Sequence, residues 1–492
     1  MESLWQDTHQ LEASPDELSP GDHYDTVVAG AGLTGLTTAV LLARSGQRVA
    51  VLEARRIGAV TTGGTTGKVS LLQGTVLSEI RRFHSDDVLR AYVEANREGQ
   101  AWLRHFLEQN GVDVQERTAY TYATTPEGHQ QLRDELAAAR IAGLGARWAP
   151  QTELPFAVHG ALELTGQAQI HSMEALGALV RELRERDGMI FEGVRLTDAD
   201  SSSPVRIETT GGKLTADNLV LATGTPVLDR GGYFAKLLPL RSYLLAFRVP
   251  GEVPQGMYLS VDKPSRSLRL ADVEGGQRLL VGGNGHIVGR GGSTRRRVED
   301  LTHWTQRNFP GAQRTHAWSA QDYRTLNRVP FVGKLPRGGG HIWLATGFNK
   351  WGLSNAVAAA LNLSGQILGG HMEWADTLGR RVTKPAGALE ALRTNSSVAV
   401  HLAGGWLKGL ANPADPPVGG GDVGRQGAKL VASTTSGGKA CHVSGVCTHL
   451  GGVVAWNDAE QSWDCPLHGS RFAPDGAVLE GPATMPLQNL DT

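Results

Sequence analysis

Hydrophobic and polar positions near the start of the chain follow the periods of strands and helices in turn. Residues 24–28 (YDTVV) and 48–54 (RVAVLEA) form short apolar runs that predict buried strands. The segment between them begins with glycines, continues with the apolar spacing of a helix and stops at Gly46. Strand, helix and strand in this order, within roughly 30 residues, predict a βαβ unit.

The same alternation returns further along the chain. Residues 341–347 (HIWLATG) predict another buried strand, which an Ala- and Leu-rich helix follows over about 353–368. Amphipathic helices are predicted at 78–110 and 127–142. Further strands are predicted at 189–196, 204–209, 217–222, 240–249, 257–261, 267–271 and 278–282. This order predicts an α/β fold, in which a parallel-sheet nucleotide-binding domain is interrupted by a mixed α+β substrate domain.

The last part of the chain has a different pattern. Residues 397–492 contain short β segments and many Gly/Pro turns, which predict a small all-β domain. Residues 377–396 are basic and contain Pro and Gly, so we interpret them as a linker. Residues 1–21 precede the first predicted strand and form an N-terminal extension. The main domain is therefore expected over 22–376.

Length and charge exclude several classes of protein. The 492 residues suffice for about two to four domains. The 48 Lys+Arg balance 49 Asp+Glu, which argues against nucleic-acid or anionic-membrane binding through bulk charge. The first 20 residues carry five acidic residues and no basic one, unlike a signal peptide, and no apolar run approaches the roughly 18 residues of a membrane span. We expect a cytoplasmic protein without a membrane span or a nucleic-acid partner.

A glycine motif follows the first predicted strand. Gly30, Gly32 and Gly35 fit G-x-G-x-x-G, whose glycines form a tight turn, let a pyrophosphate approach the backbone and let the helix pack on the strand. Glu53 ends the next strand, where an acidic side chain hydrogen-bonds the ribose hydroxyls of an adenosine. A carboxylate there disfavours a 2′-phosphate, so NADP fits worst, while the motif alone fits both NAD and FAD.

Further glycine-rich segments favour FAD. They are residues 61–68 (TTGGTTGK), the strand end 222–224 (ATG) and the turn 347–352 (GFNKWG), which precedes a helix. Together with DTVVAGAGLTGLTTAVLLARSGQRVAVLEA, LVLATG and ATGFNKWGLSNA, they resemble the FAD-dependent oxidoreductases of the D-amino-acid oxidase/glycine oxidase type, over roughly residues 20–375.

This resemblance implies a Rossmann-like FAD-binding domain built from about 22–80, 155–225 and 320–376, with the mixed α+β substrate domain inserted as about 81–154 and 226–319. The residues that it implies for FAD binding are Gly30, Gly32, Gly35, Glu53, Arg55, Thr65, Thr66, Lys68, Leu196, Thr223, Gly224, Gly347, Trp351, Gly352 and Leu353. The only further glycine-rich turn after a strand, 283–289 (GNGHIVG), lacks the spacing of a second nucleotide site. We therefore expect electrons to enter from a small substrate bound at the flavin.

Cysteine and histidine pairs lie close together near the end of the chain. Cys447-x-His449 and Cys465-x-x-His468 could form a tetrahedral zinc site. The surrounding segments, CTHLGG and DCPLHGSRF, resemble a Rieske domain. That resemblance implies a [2Fe–2S] cluster in which the two thiolates hold one iron and the two imidazoles hold the other. Cys441 has no partner and is interpreted as a buried small hydrophobe, with its neighbour His442 structural.

Two positions depart from the high-potential Rieske proteins of respiratory complexes. Those proteins carry a disulfide that braces the cluster loops, whereas this chain has Gly452 and Leu467 in the two places, so the disulfide is impossible. Ser470 can still donate a hydrogen bond to a cluster sulfur, which raises the reduction potential. A Rieske oxygenase would also need a mononuclear iron site, with two histidines about four or five residues apart. No two of the 16 histidines have that spacing, which disfavours dioxygenase chemistry.

Both modules together resemble a family of bacterial FAD-dependent oxidoreductases with Rieske domains, on the further segments SLW, AQIH, WSAQDYRT and TGFNKWG. This resemblance implies oxidation of an amine or amino-acid C–N bond by hydride transfer to FAD, with single electrons leaving through the cluster to an external acceptor. Candidate catalytic residues are Arg241 and Tyr243 for a substrate carboxylate, Lys350 for charge on the reduced ring or for oxygen, and His171, with Gln169 beside it. Each could equally be an ordinary exposed or packed residue.

Two other functions stay open at this point. In one, the chain is an electron-transfer component, and a partner protein docks near His449 and His468. In the other, the Rieske domain is structural and the reduced flavin reacts directly with oxygen, as in a simple amine oxidase.

Overall fold

The structure is a computed structural model that describes residues 1–382, 384, 406 and 416–491. Most of the predicted linker 377–396, and residues 397–415 of the predicted all-β domain except for residue 406, lie outside the described residues. We call the described residues up to 384 the N-terminal region and residues 416–491 the C-terminal region.

The helices and strands are numbered here in chain order. The described helices are α1 Leu4–Thr8, α2 Leu33–Arg44, α3 Val76–Phe83, α4 Asp86–Gln109, α5 Pro126–Ile141, α6 Ser172–Arg184, α7 Thr294–Asn308, α8 Gly352–Ile367 and α9 Glu373–Gly379. The described strands are β1 His23–Ala29, β2 Val49–Glu53, β3 Lys68–Val69, β4 Val114–Ala123, β5 Arg147–Trp148, β6 Gly160–Ile170, β7 Met189–Glu192, β8 Leu196–Ala199, β9 Val205–Thr209, β10 Gly212–Leu221, β11 Leu237–Arg248, β12 Met257–Ser260, β13 Arg266–Val273, β14 Gly276–Ile287, β15 Gln313–Thr325, β16 Phe331–Lys334, β17 Ile342–Thr346, β18 Gly421–Gln426, β19 Lys429–Ser436, β20 Lys439–Ser444, β21 Ala455–Asn457, β22 Ser462–Asp464, β23 Arg471–Phe472 and β24 Val478–Glu480.

The first sheet contains the predicted βαβ unit. Its strand order is β16-β17-β10-β1-β2-β7, and the pairs from β17 to β7 are parallel. These strands are apolar almost throughout because both faces are covered, with α2 and α8 packed in one of the core clusters. The carboxyl ends of β1, β2 and β10 therefore meet at one edge, which is where open α/β sheets bind ligands.

The second sheet is antiparallel except for the parallel pair of β12 and β4. Its order is β15-β11-β14-β13-β12-β4-β6-β3, and β5 pairs with β6. One face of β11 and β14 packs against α7, where Tyr243 and Leu245 join Val298 and Leu301 in one core cluster. Neighbouring residues of β11 point to the opposite face of the sheet, since strand side chains alternate.

The long helix predicted at 78–110 is two helices. The chain leaves the helical conformation at His84, whose φ of −135° and ψ of 175° are extended, and the buried imidazole contacts the carbonyl of Asn327 at 2.9 Å. Ser85 then caps α4, because its Oγ accepts a hydrogen bond from the backbone N–H of Val88. The amphipathic period continues across this break, and for that reason periodicity alone does not reveal it.

The C-terminal region is all-β, as predicted, and is built from two small sheets. One has the order β18-β19-β20 and the other β21-β22-β23-β24. Their shared core contains Val443, Trp463 and Phe472. The predicted fold class, a Rossmann-like α/β domain with a mixed substrate-side sheet followed by a small all-β domain, is confirmed. None of the helices in the described part of the chain is long and apolar enough to cross a membrane.

The first residues of the chain pack against the loop that follows β2. Ser3 Oγ donates to the carbonyl of Gly63 at 2.5 Å, and Trp5 Nε1 donates to the carbonyl of Thr65 at 2.6 Å. The indole of Trp5 is 1% exposed, so this short helix packs tightly against the loop.

Candidate active site

A cavity opens at the carboxyl ends of β1, β2 and β10, and we call it the dinucleotide cavity. Most of the residues predicted to bind FAD line it, and they come from six separate segments of the chain. Those residues are Gly30, Gly32, Glu53, Arg55, Thr65, Leu196, Thr223, Gly224, Gly352 and Leu353. A dinucleotide would therefore contact the glycine turn, the end of β2, the end of β10 and the start of α8.

Close backbone contacts explain why two positions of the motif are glycine. Gly30 has φ +110°, and a Cβ at this position would lie 2.5 Å from the carbonyl oxygen of Ala222. A Cβ on Gly35 would lie 1.8 Å from the carbonyl oxygen of Gly30. Only glycine allows β1, the turn and α2 to come this close, which leaves the N-terminus of α2 open toward the cavity. The cradle thus fits a dinucleotide pyrophosphate.

Glu53 is the acidic residue expected at the adenosine ribose. Its carboxylate accepts hydrogen bonds from the backbone N–H groups of Ala31 and Arg55, both at 2.9 Å. Burial raises the pKa of Glu53, while these two N–H groups oppose the rise. These hydrogen bonds hold the Glu53 carboxylate at the cavity wall. Its oxygens are therefore positioned to accept a hydrogen bond from a ribose hydroxyl.

Five predicted FAD-binding residues lie elsewhere. Gly35 and Gly347 serve close packing, since a Cβ on Gly347 would lie 2.3 Å from Thr325 Cγ2. Thr66, Lys68 and Trp351 line a second cavity of about 530 Å³ on the other side of Lys350. The Lys68 ammonium is buried there and donates to the carbonyl of Tyr258 and to Ser267 Oγ, both at 2.7 Å.

The two cavities meet at a short group of shared residues, which are Thr61, Thr65, Asp322, Lys350 and Leu353. Lys350 has a left-handed backbone, φ +69°, and its N–H donates to the carboxylate of Asp322. Its Nζ donates to Ser242 Oγ at 2.7 Å. The Lys350 side chain is open to the two cavities, but these lie inside the protein. Removal of the ammonium from bulk water lowers the pKa of Lys350 to about 8. A second cavity of this size beside a dinucleotide is suited to a small substrate.

Arg241 and Tyr243, predicted to bind a substrate carboxylate, make other contacts in the structure. Strand side chains alternate, so both lie on the face of β11 opposite Ser242. Tyr243 is still among the residues that line the second cavity, whereas Arg241 is not. The Arg241 guanidinium, 1% exposed, donates to Glu460 Oε2 at 2.9 Å and to Glu480 Oε1 at 3.1 Å in the C-terminal region. The Tyr243 ring stacks on His286 at a centroid distance of 5.8 Å. The Arg241 guanidinium pairs with two carboxylates of the protein itself, which argues against a role in binding the carboxylate of a substrate.

His171 and Gln169, two further candidates, line neither of the two cavities. His171 caps α6, where its Nδ1 accepts a hydrogen bond from the Glu174 N–H, and its Nε2 lies 2.9 Å from Thr8 Oγ1. Burial lowers the pKa of His171 to about 4, so the ring is neutral. Gln169 is fully buried and donates to the carbonyl of Leu270 at 2.9 Å. Both residues support the fold at a distance from the two cavities.

The four predicted cluster ligands come together as two pairs. Cys447 and Cys465 hydrogen-bond each other, and that contact lowers the pKa of the Cys447 thiol to about 7. The rings of His449 and His468 lie 5.1 Å apart. Within the described part of the chain, neither buried Nδ1 atom of these histidines has a hydrogen-bond partner. Two thiols on one side and two free imidazole nitrogens on the other fit a [2Fe–2S] cluster of the Rieske type better than one tetrahedral zinc ion.

In the cluster loops, the two residues that stand in place of the disulfide cysteines lie side by side. Gly452 and Leu467 face each other, since a Cβ on Gly452 would lie 2.7 Å from Leu467 Cδ1. Ser470 is fully buried, contacts the thiol of Cys447 and accepts a hydrogen bond from the Ala483 N–H at 3.0 Å. Cys441, expected to be buried, is half-buried in β20.

The N-terminal region covers the two histidine ligands. The ring of Phe234 packs edge-on against His468 at 5.3 Å and against His449 at 6.3 Å. Asp229 Oδ2 lies 3.2 Å from Nε2 of His449 and orients its ring. As a result the His449 side chain is only 11% exposed, and His468 only 9%. We call this covered surface the imidazole face.

Several residues at the site carry no motif that could reveal them. Leu479, Glu480 and Gly481 of the C-terminal region line the dinucleotide cavity. Asp322 and Ser242 position Lys350 from two different strands. Their roles depend on contacts between segments far apart in the chain. Of these residues, only Asp322 lies in a segment, WSAQDYRT, that carries the family resemblance.

Comparisons with known proteins agree with this geometry. Residues 25–364 match the family of FAD-dependent oxidoreductases (DAO), and residues 417–491 match the Rieske [2Fe-2S] domain. The putative Rieske 2Fe-2S iron-sulfur protein YhfW of Bacillus subtilis is 31% identical over 502 aligned positions, which cover 100% of this chain and 97% of the relative. Cytochrome b6-f complex iron-sulfur subunit 3 of Nostoc sp. is 57% identical over 42 residues, 8% of this chain and 24% of that one.

A solved structure shares the fold of the N-terminal region. The crystal structure of glycine oxidase from Geobacillus kaustophilus superposes with a TM-score of 0.61 at 21% identity, covering 72% of this chain and 96% of that chain. The two matched domains imply FAD and a [2Fe–2S] cluster as cofactors, which the cradle and the paired ligands fit. The chain belongs to the family of FAD-dependent oxidoreductases (DAO) and carries a Rieske [2Fe-2S] domain at its C-terminal end.

Proposed function

We propose that this oxidoreductase oxidises the C–N bond of an amine or amino acid and that the electrons leave the flavin one at a time, through the Rieske cluster of the same chain, to an external acceptor. Bound FAD accepts two electrons as a hydride, and a [2Fe–2S] cluster carries one electron at a time. The residues of the chain bind the substrate beside the flavin and hold the two cofactor sites in one arrangement.

The covered imidazole face is the observation that carries this proposal. An electron-transfer component serving a separate partner protein would present His449 and His468 to the outside. Here Phe234 and Asp229 of the N-terminal region occupy the place where such a partner would dock. This packing supports exchange between the two cofactor sites of one chain over docking of a partner at the histidines.

The second cavity supports a small polar substrate. Lys350 stands where the two cavities meet, and Asp322 holds its backbone in the left-handed turn. Ser242 accepts from its ammonium, which therefore points to the boundary of the cavities. Below its pKa of about 8 the ammonium places a positive charge beside the site where negative charge develops on hydride transfer. We propose Lys350 as the catalytic residue that stabilises this charge.

The substrate class rests on the family. The solved relative is a glycine oxidase, an enzyme named for an amino acid. Hydride transfer from such a compound needs a neutral amine and a positioned C–H bond more than a strong base. A cavity of about 530 Å³ admits an amino acid or a small secondary or cyclic amine.

An anaerobic titration tests the proposal. The purified protein is mixed with a panel of amino acids and of N-methyl and cyclic amines, while the flavin absorbance and the EPR signal of the cluster are recorded. We expect bleaching of the flavin by one class of compound, followed by the EPR signal of the reduced cluster. Bleaching with a cluster that stays oxidised would contradict the electron route and leave the amine chemistry standing.

A simple oxidase with a structural Rieske domain is the second candidate. It predicts that the double variant Cys447→Ser, Cys465→Ser, which cannot hold the cluster, keeps full turnover and forms stoichiometric hydrogen peroxide. The proposal above predicts instead that this variant loses turnover with any acceptor that takes electrons from the cluster.

A further inference from the structure

The Rieske domain forms one wall of the dinucleotide cavity. Leu479, Glu480 and Gly481 face that cavity from the end of β24. Two hydrogen bonds from the N-terminal region hold this wall in place. Arg195 Nη2 donates to the carbonyl of Val478 at 3.0 Å, and the Tyr323 hydroxyl donates to the carbonyl of Gly481 at 3.2 Å. Both donors belong to residues that themselves line the cavity.

The same domain is held by contacts away from the cavity. Asp458 caps α7 from the C-terminal region, because its Oδ1 accepts hydrogen bonds from the N–H groups of Thr294 and Arg295 at 2.8 and 2.9 Å. Its Oδ2 accepts from Ser293 Oγ at 2.6 Å. The docked position is therefore fixed on two sides, at the cavity wall and at the start of α7.

We propose that the Rieske domain is part of the FAD-binding site and that FAD affinity and docking of the domain are coupled. A ligand that contacts both regions binds the docked arrangement more tightly than an undocked one, and by thermodynamic linkage it strengthens the docking by the same factor. The coupling goes beyond the proposed reaction, since it needs only bound FAD and no electron transfer. The Rieske domain then has two tasks, to carry a cluster and to retain the flavin.

The first test places a negative charge on the wall. In the full-length protein, Leu479→Asp puts a carboxylate into the cavity that takes the FAD diphosphate, and the two charges repel. We expect the FAD dissociation constant, measured by quenching of flavin fluorescence on addition to apoprotein, to rise by about tenfold or more. The matched control is Val418→Asp on the same domain, where the side chain is exposed outside the cavity. Visible circular dichroism of the cluster checks that both variants keep the Rieske fold.

The second test separates coupling from a direct contact. Asp458→Ala removes the hydrogen bonds that join the C-terminal region to residues 293–295 without changing any residue of the cavity wall. Coupling predicts a raised FAD dissociation constant here too. In the wild type, FAD should slow amide hydrogen exchange in residues 293–296. Unchanged FAD affinity in either Leu479→Asp or Asp458→Ala, with an intact cluster spectrum, overturns the proposal. Because no measurement involves turnover, the electron route can fail while this inference stands.

Discussion

Glu480 Oε1 of the Rieske domain accepts a hydrogen bond from Arg241 Nη2 on β11 at 3.1 Å, and the same glutamate lines the dinucleotide cavity. Around this contact lies a buried ion cluster, formed by Arg241, Arg471, Asp464, Glu460 and Glu480. Burial alone would raise the pKa of Glu460, but the guanidinium groups of Arg471 and Arg241 outweigh it and lower this pKa to about 2. Glu460 is thus a charged partner of the two arginines at neutral pH.

Replacing Arg241 by Met should destabilise the docked protein. The variant leaves Glu460 and Glu480 buried with one guanidinium fewer, and breaking a buried pair in this way costs about 3–5 kcal/mol. We expect a lower midpoint in thermal unfolding, and Arg248→Met, at the exposed end of the same strand, should leave it unchanged. If Arg241→Met instead raised only the KM for substrate and left the midpoint unaltered, Arg241 would be a substrate-binding residue after all.

Lys350→Met should slow reduction or reoxidation of the flavin by at least about tenfold, because it removes a charge from the boundary of the two cavities. Lys334→Met, on exposed β16, is the control. Stopped-flow absorbance measures both rates. Equal rates in Lys350→Met and the wild type would exclude this residue from the chemistry.

The pH dependence of the flavin potential provides a separate test of Lys350. Burial lowers the pKa of this lysine to about 8, so the ammonium form that stabilises negative charge is present below pH 8 and is lost above it. The midpoint potential of the flavin should fall more steeply with pH above about 8, since reduction then draws a proton onto the amine. A wild-type titration without this break, or the same break in Lys350→Met, would contradict the assignment.

Ser470→Ala should lower the reduction potential of the cluster. The hydroxyl contacts the thiol of Cys447, and a hydrogen bond to a cluster sulfur favours the reduced form. A hydrogen bond worth about 1.4 kcal/mol corresponds to roughly 60 mV for one electron. An EPR-monitored redox titration measures the shift, and Ser470→Thr, which keeps a hydroxyl, should restore part of it. A potential that does not change would show that this hydroxyl leaves the cluster untouched.

Phe234→Ala should open the imidazole face. The ring packs against both histidine ligands, so its removal gives external acceptors access to them. We expect faster oxidation of the reduced cluster by ferricyanide. Tyr233→Ala is the control, because its ring packs on Phe331 instead. No acceleration in Phe234→Ala would mean that external acceptors already reach the cluster by another face.

Local patterns in the sequence identified the parts of the site that depend on local geometry. The turn around Gly30 and the four cluster ligands follow from short spacings, because a pyrophosphate turn and a cluster loop each need only a few consecutive residues. The contacts of Arg241 could not be predicted in this way, because its partners, Glu460 and Glu480, lie 219 and 239 positions further along the chain. The sequence carries no sign of such pairing.

The role of the Rieske domain at the dinucleotide cavity was hidden for the same reason. Leu479 belongs to an ordinary short strand with no ligand motif, and only the docking of two separate domains brings it to the cavity. His171 shows the opposite case. A histidine in a segment of family resemblance suggested chemistry, whereas its nitrogens cap a helix and contact Thr8.

The central claim is that the flavin and the cluster of one chain exchange electrons, and flash photoreduction tests it most directly. The flavin is reduced by a deazaflavin flash under anaerobic conditions, and reduction of the cluster is followed by absorbance over a range of protein concentrations. The covered imidazole face predicts cluster reduction at a rate that does not depend on protein concentration. A rate proportional to concentration, or a reduced flavin beside a cluster that stays oxidised, would contradict the account.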